Sequence, residues 1–302
     1  MAGPVVLAGG SGGAKLARGM LDVAGADLTV IANTADDIEI YGAYVSPDPD
    51  LVTFWLADCI DERGWGLRDD TFAVMDGLRA LGVDVWFSLG DRDLAIGIER
   101  ARRLADGARL TDTLAELGAA LGVSARVLPM ADEPVRTWVR CRAHWTPFQE
   151  FMIRDGAAGP VQSTQLRGIA EAQPTPEILA AVAAASAIII GPSNPVISIG
   201  PILSVPKMRQ ALLDSPAPIV AISPIVGGAV LKGPTEAFMR WAGHDPSSAG
   251  VADTYAGLID GLVADDAVDG LPVLQTDTLM TDAASRRRLA TETLHFAEGL
   301  AA

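Results

Sequence analysis

The sequence predicts an α/β protein: a Rossmann-like, doubly wound parallel sheet with a small α+β insertion acting as a lid. Three observations predict it. Short apolar runs alternate with helical stretches in the first third of the chain and again in the last part. Polar clusters follow those runs, as at the ligand edge of an open parallel sheet. Between about Arg126 and Arg167 the helical period yields to short alternating stretches such as VRTWVRC and EFMIRD. The core is therefore assigned to residues 1–125 and 171–302, and the insertion to 126–170.

In chain order, Val5 to Ala8 is a buried strand. Gly13 to Ala24 is a helix with Leu16 and Met20 on one face. Leu28 to Ala32 is a second strand, ending at Asn33. Pro49 to Cys59 and Thr71 to Leu81 read as helices. Val85 to Leu89 reads as a third apolar strand running into GDRD, and Leu94 to Leu104 as the helix after it. Beyond the insertion come a helix from Pro176 to Ala185, strands Ala187 to Ile190 and Pro218 to Ile222, and a terminal helix from Asp282 to Leu300. The apolar run AAVAAASAIII is alanine-rich and cut by Gly191 and Pro192, so it reads as a helix leading into a strand rather than a membrane span.

The chain has 302 residues, 49% hydrophobic and 20% charged, enough for one large domain with an insertion. Its net charge of −15 argues against nonspecific binding to nucleic acid or anionic membrane. The same charge means that an anionic ligand needs local cations or a metal ion. Cys59 and Cys141 lie far apart in no metal-ligand spacing, which fits a reducing cytoplasm. The N-terminal run has no basic flank and is broken by glycine, so no secretory signal is expected.

GGSGG, Gly9 to Gly13, formally matches a nucleophile elbow at Ser11. His144, His244 and His295 lie in no context that would complete a triad. The dinucleotide fingerprint fails because Lys15 stands where its last glycine belongs, and no P-loop is present. What survives is a glycine turn at a helix N-terminus, a phosphate cradle built from Gly9, Gly10, Ser11, Gly12 and Gly13 with Lys15 nearby. Otherwise it is a plain tight turn. NTADD and SPDPD place Asn33 and four carboxylates, Asp36, Asp37, Asp48 and Asp50, near the ligand edge. Clustered carboxylates repel unless a cation sits among them, and Mg²⁺ is often held by one or two carboxylates plus substrate phosphates. A solvated acidic loop is the bland alternative. GDRD offers Asp91 and Arg92, which either meet a phosphate or only pair within the turn. GPSNP offers Gly191, Ser193 and Asn194 for a base, ribose or phosphate, and SPIVGGAVLKGP offers Lys232 as a second anion site. Trp55, Trp65 and Trp86 fall near the acidic segment and suit either a planar-ligand pocket or the core.

LAGGSGGAKL, NTADD, SPDPDLVTFWLAD, RGWGLRDDTF, LGDRDLA, GPSNPVISIGPIL and SPIVGGAVLKGP, in this order from Leu7 to Pro234, resemble the 2-phospho-L-lactate transferase (CofD) family of coenzyme F-420 biosynthesis. The resemblance implies a Rossmann-like core that binds the deazaflavin FO and a guanylyl diphosphate donor. The terminal ribityl hydroxyl of FO attacks the phosphorus carrying a small organic acid, and GMP leaves. By the same resemblance, Asp36 and Asp50 hold Mg²⁺, Asp50 and Ser88 touch FO with Trp55 flanking its ring, and Asp50 or Asp37 orients or deprotonates the hydroxyl. Pro49 stands where the family usually has leucine, and the glycine loop also varies. A homodimer is implied, with the apolar helices near Leu203 and Leu212 as one possible interface. Two other readings stay open: a noncatalytic nucleotide-sugar-binding regulator on the same core, and a serine hydrolase through Ser11. The acyl group, whether lactate, enolpyruvate or glycerate, is not legible.

Overall fold

The structure, a computed structural model, describes residues 3–231 and 233–301. Seven strands form one parallel sheet: β1 (Val5–Ala8), β2 (Thr29–Ala32), β5 (Arg126–Pro129), β9 (Ile188–Ile190), β10 (Ile219–Ile222), β13 (Gly261–Ala264) and β14 (Val273–Gln275). Their spatial order is β14-β13-β10-β9-β1-β2-β5, and every neighbouring pair is parallel. Because both faces are covered, the strands read as continuous apolar runs. Val5, Leu7, Ile188 and Ile190 join one core layer with Ile178, Ile202, Met208 and Val251. These come from α6 (Pro176–Ala183), α7 (Gly200–Ser204), α8 (Met208–Leu213) and α10 (Ser248–Thr254). Val6, Ala8, Val30 and Ile189 join the other layer with Leu16, Met20, Phe54 and Leu289. That layer is covered by α1 (Gly10–Ala24), α2 (Pro47–Leu56) and α11 (Ala283–Ala301).

The strand order reverses at β1. The chain moves to β2 and β5 on one side and returns to β9 on the other, which opens a crevice at the carboxyl ends of β1 and β9. GGSGG follows β1 and GPSNP follows β9, so these motifs flank the crevice.

Three expectations are corrected. Val85 to Leu89 form no strand; Phe87 and Leu89 are buried with Met75, Leu94, Ala43 and Val45 in a satellite core. Those partners come from α3 (Ala73–Ala80), α4 (Asp91–Ala105) and a hairpin of β3 (Ile38–Ile40) and β4 (Ala43–Val45), so the apolar run is satisfied without a sheet neighbour. Arg126 to Pro129, placed in the insertion from sequence, pair with β2 as the edge strand of the main sheet. The insertion's own sheet is antiparallel and made of β6 (Arg136–Cys141), β7 (His144–Pro147) and β8 (Val161–Arg167). It docks on the NTADD loop, where the Thr137 N–H donates to the Ala35 carbonyl at 2.7 Å and Gln149 Nε2 to the Asp36 carbonyl at 3.1 Å. Finally, Leu212 lies inside the core with Leu203 packed against it, so Leu212 itself is not open to a second copy, while the adjacent Leu213 is exposed. Among the described residues no helix is long and apolar enough to cross a membrane.

Candidate active site

Helix α1 starts at Gly10, three residues earlier than its apolar pattern indicates, because its end is held from outside. The Gly10 N–H donates to Asp48 Oδ1 at 2.7 Å, and the Gly9 N–H to Ser193 Oγ at 3.2 Å. Close packing fixes three of the glycines. A Cβ on Gly12 would collide with the Pro192 carbonyl, on Gly9 it would lie 2.6 Å from Ser198 Cβ, and on Gly13 2.7 Å from Ser193 Oγ. Gly10 differs: it has φ +63° and faces open space. The first-turn N–H groups of Ser11 and Gly12 have no acceptor within the helix and carry the positive end of its dipole. Ser11 therefore sits in a helical first turn. None of the three histidines bonds to it among the described residues, and His244 instead faces Asp253 at 3.5 Å.

The four carboxylates of NTADD and SPDPD are all buried. Asn33 braces two of them, its Nδ2 donating to Asp36 Oδ2 at 3.1 Å and to Asp48 Oδ2 at 2.9 Å, while its Oδ1 accepts from the Ala35 N–H. Asn33 thus holds the two acids in place. Asp37 Oδ1 accepts from Ser46 Oγ at 2.8 Å. Asp36 Oδ1 and Asp37 Oδ2 are buried with no partner. Burial, then the Asp48 charge, pushes Asp36 well above the usual carboxylate range. Burial pushes Asp37 up to about 7 against the pull of Arg136 and Arg100, and Asp48 up to about 6.

Asp50 meets a guanidinium that its own segment does not announce. Arg100, fully buried on α4, donates Nη1 to Asp50 Oδ2 at 3.0 Å and Nη2 to Asp50 Oδ1, with Nη1 also reaching the Tyr44 carbonyl at 2.9 Å. Sequence did hold one signal. Arg100 falls on the buried face with Leu94 and Gly97, where a charge needs a buried partner. Beside this pair, Asp93 is pushed up to about 7 by burial and by Asp50. Asp93 lines a cleft of about 170 Å³ with Ser88, Trp65, Asp70 and Arg63. Ser88 is thus where a cleft ligand can reach it.

Several expected ligands are employed elsewhere. Lys15 turns to the Met280 carbonyl at 3.4 Å and lies 5.9 Å from the centre of the Trp55 ring. Trp55 is packed in the core with Arg286 Cζ 4.9 Å from its ring centre, so it does not line the cleft. Asp91 accepts from the Ala73 and Val74 N–H groups and from Thr71 Oγ1, which caps α3 and holds its carboxyl below the usual range. Asp70 answers by accepting from the Arg92 and Asp93 N–H groups at the start of α4. Arg92 Nη1 donates to the Arg68 carbonyl. LRDDT and GDRD are therefore mutual helix caps, with the Asp93 side chain in the cleft lining. Gly191 lies tight against Leu7 and Gly13. Asn194 Oδ1 caps the turn Pro195–Ile199 while its buried Nδ2 has no partner. Lys232 lies outside the described residues.

A doubly wound parallel sheet, with a capped glycine turn and a buried carboxylate set at its switch point, defines a Rossmann-like α/β protein with an acid-lined site at the strand ends. The family model described as 2-phospho-L-lactate transferase CofD matches residues 5–289, and the chain belongs to that family. It is 38% identical over 297 residues to a 2-phospho-L-lactate transferase of Methanosarcina mazei, covering 95% of this chain and 97% of that one. It is 39% identical over 314 residues to a phosphoenolpyruvate transferase of Streptomyces coelicolor, covering 97% and 98%. A solved UPF0052-family protein of Bacillus halodurans shares the fold, with a TM-score of 0.65 at 16% identity over 97% of this chain and 99% of that one. As a CofD-family protein the chain is a transferase of coenzyme F-420 biosynthesis.

Proposed function

We propose that the chain moves a phospho-acyl group from a guanylyl diphosphate donor to the terminal ribityl hydroxyl of the deazaflavin FO, releasing GMP in the cytoplasm with Mg²⁺ bound. The observation that carries this reading is the pair of buried carboxylate oxygens, Asp36 Oδ1 and Asp37 Oδ2, left without partners at the end of β2. Unpaired oxygens of this kind suit a hard cation, whose remaining places substrate phosphates fill. Asp36 would be its first protein ligand. Asp50, already forked by Arg100, has only spare lone pairs to lend. Mg²⁺, when bound, neutralises diphosphate oxygens and the charge that builds on the leaving GMP.

The chain's own residues supply positioning, the main demand of phosphoryl transfer. The Ser11 and Gly12 N–H groups at the start of α1, and the unpartnered Asn194 Nδ2 after β9, would serve as phosphate donors. Asp50, oriented by Arg100, and Ser88 in the cleft hold the acceptor. Asp37, its Oδ1 held by the Ser46 hydroxyl, would orient the attacking hydroxyl or take its proton. Relatives named for either acyl group stand at nearly equal identity, so the donor's acid is chosen by experiment. The test is GMP release by chromatography, with FO, Mg²⁺ and in parallel the guanylyl diphosphates of phospholactate, phosphoenolpyruvate and phosphoglycerate. GMP formed only when FO and metal are both present establishes the transferase, and the fastest donor names the acid. No GMP with any donor, despite tight nucleotide binding, would replace this reading with the noncatalytic binding protein.

A further inference from the structure

A donor rich in negative charge must enter a site walled by carboxylates in a chain of net charge −15. Of the cations expected from sequence, Lys15 and Arg92 are turned to backbone carbonyls and Lys232 lies outside the described residues, while the buried Arg100 is sealed against Asp50. The described structure brings another guanidinium to the acids from the insertion. Arg136, the first residue of β6, is half-buried. Its Nη2 donates to Tyr44 Oη at 3.2 Å and its Nη1 to the Val135 carbonyl at 2.8 Å, with Cζ 5.3 Å from the centre of the Tyr44 ring. It lies within electrostatic reach of Asp37, yet among the described residues it makes no ion pair. Its fork therefore keeps N–H groups to give. Its position is fixed, because the next residue, Thr137, bonds to Ala35 in the NTADD loop.

The surroundings are cationic as well. From Arg136 to Arg167 five arginines stand against two carboxylates. Arg136, Trp138 and Arg140 alternate with the buried Thr137 and Val139 and so share one face of β6. Arg167 pairs with Arg136 across β8 and lays its Cζ 3.5 Å from the centre of the Trp138 ring. The insertion thus brings a net-positive segment up to the carboxylates, with Arg154 spent on Asp84 and Glu150.

Resting on the proposed donor, we infer that Arg136 is a substrate-binding residue that receives an oxyanion of the phospho-acyl group. A planar guanidinium matches phosphate and carboxylate alike in two parallel hydrogen bonds, and the phospho-acyl group carries both. The test is calorimetric titration of phosphoenolpyruvate, inorganic phosphate, pyruvate and GMP into wild type, Arg136→Gln and Arg136→Lys, with Mg²⁺ present and thermal midpoints recorded. The expected result is phosphoenolpyruvate binding weakened about tenfold or more by Arg136→Gln, with GMP affinity and the midpoint unchanged. Arg136→Lys keeps the charge without the fork and falls between. Whichever of phosphate and pyruvate loses affinity in Arg136→Gln names the oxyanion. Phosphoenolpyruvate binding equal to wild type in a folded Arg136→Gln would overturn the assignment, as would equal weakening of GMP with a lowered midpoint. Binding that depends on Arg136 in a protein that releases no GMP would sink the transferase reading and leave this site standing.

Discussion

Asp37 allows a prediction about stability that is independent of turnover. Its carboxyl is buried and titrates at about 7 in the folded chain, against an ordinary 3.8. The folded state therefore binds a proton that the unfolded state releases. This contribution to stability is complete below about pH 4 and is lost as pH rises through 7. The full difference is about 4 kcal/mol. Asp37→Asn removes the titration and keeps an oxygen to accept the 2.8 Å bond from Ser46. In metal-free buffer, urea unfolding should show the variant more stable than wild type by about 1 kcal/mol at pH 4.5, rising to about 4 kcal/mol at pH 8. The same variant should release GMP far more slowly, since it cannot take a proton. A stability difference that is flat with pH, or a variant less stable than wild type at pH 8, would refute the argument.

Gly12→Ala should cost several kcal/mol or fail to fold, because its Cβ meets the Pro192 carbonyl; thermal melting checks it. Arg100→Met should destabilise by about 3–5 kcal/mol in urea titration, since it strands the buried Asp50 carboxylate. Trp55→Phe should leave the KM for FO within about twofold, its ring being held under Arg286 rather than in the cleft. Chelation of Mg²⁺ should abolish GMP release, and Mg²⁺ at a hundred times its Kd should add about 2.7 kcal/mol to unfolding stability at pH 8.

The sheet was legible because its strands are covered on both faces, so Val5–Ala8 and Ile188–Ile190 read as unbroken apolar runs that nothing else in the pattern explains. The run at Val85 carried the same signal for another reason, a satellite core, and hydropathy does not tell the two apart. In the site, the carboxylates were legible as a cluster because they lie close in sequence. Their partners were less so: the bond from Arg136 to Tyr44 spans 92 residues and that from Arg100 to Asp50 spans 50. GDRD looked like ligand chemistry because helix caps and anion sites favour the same short polar residues. Only the opposed caps from Asp70 and Asp91 separate the two.

The position of β1, between strands that come from opposite halves of the chain, has a consequence for the order in which this protein becomes functional. Val5 pairs with Thr29 on one side and with Ile188 on the other. The bond from Gly9 to Ser193 that seats the glycine turn closes a span of 184 residues. Contacts of such range come late, because the loop entropy must be overcome before they form. On a ribosome the first half of the chain can assemble β1, β2, β5 and the carboxylates, but the crevice has one wall until β9 emerges. A nascent or truncated chain would therefore expose buried-type acids with no phosphate-holding loop opposite, and substrate affinity should arrive in one step with the second half.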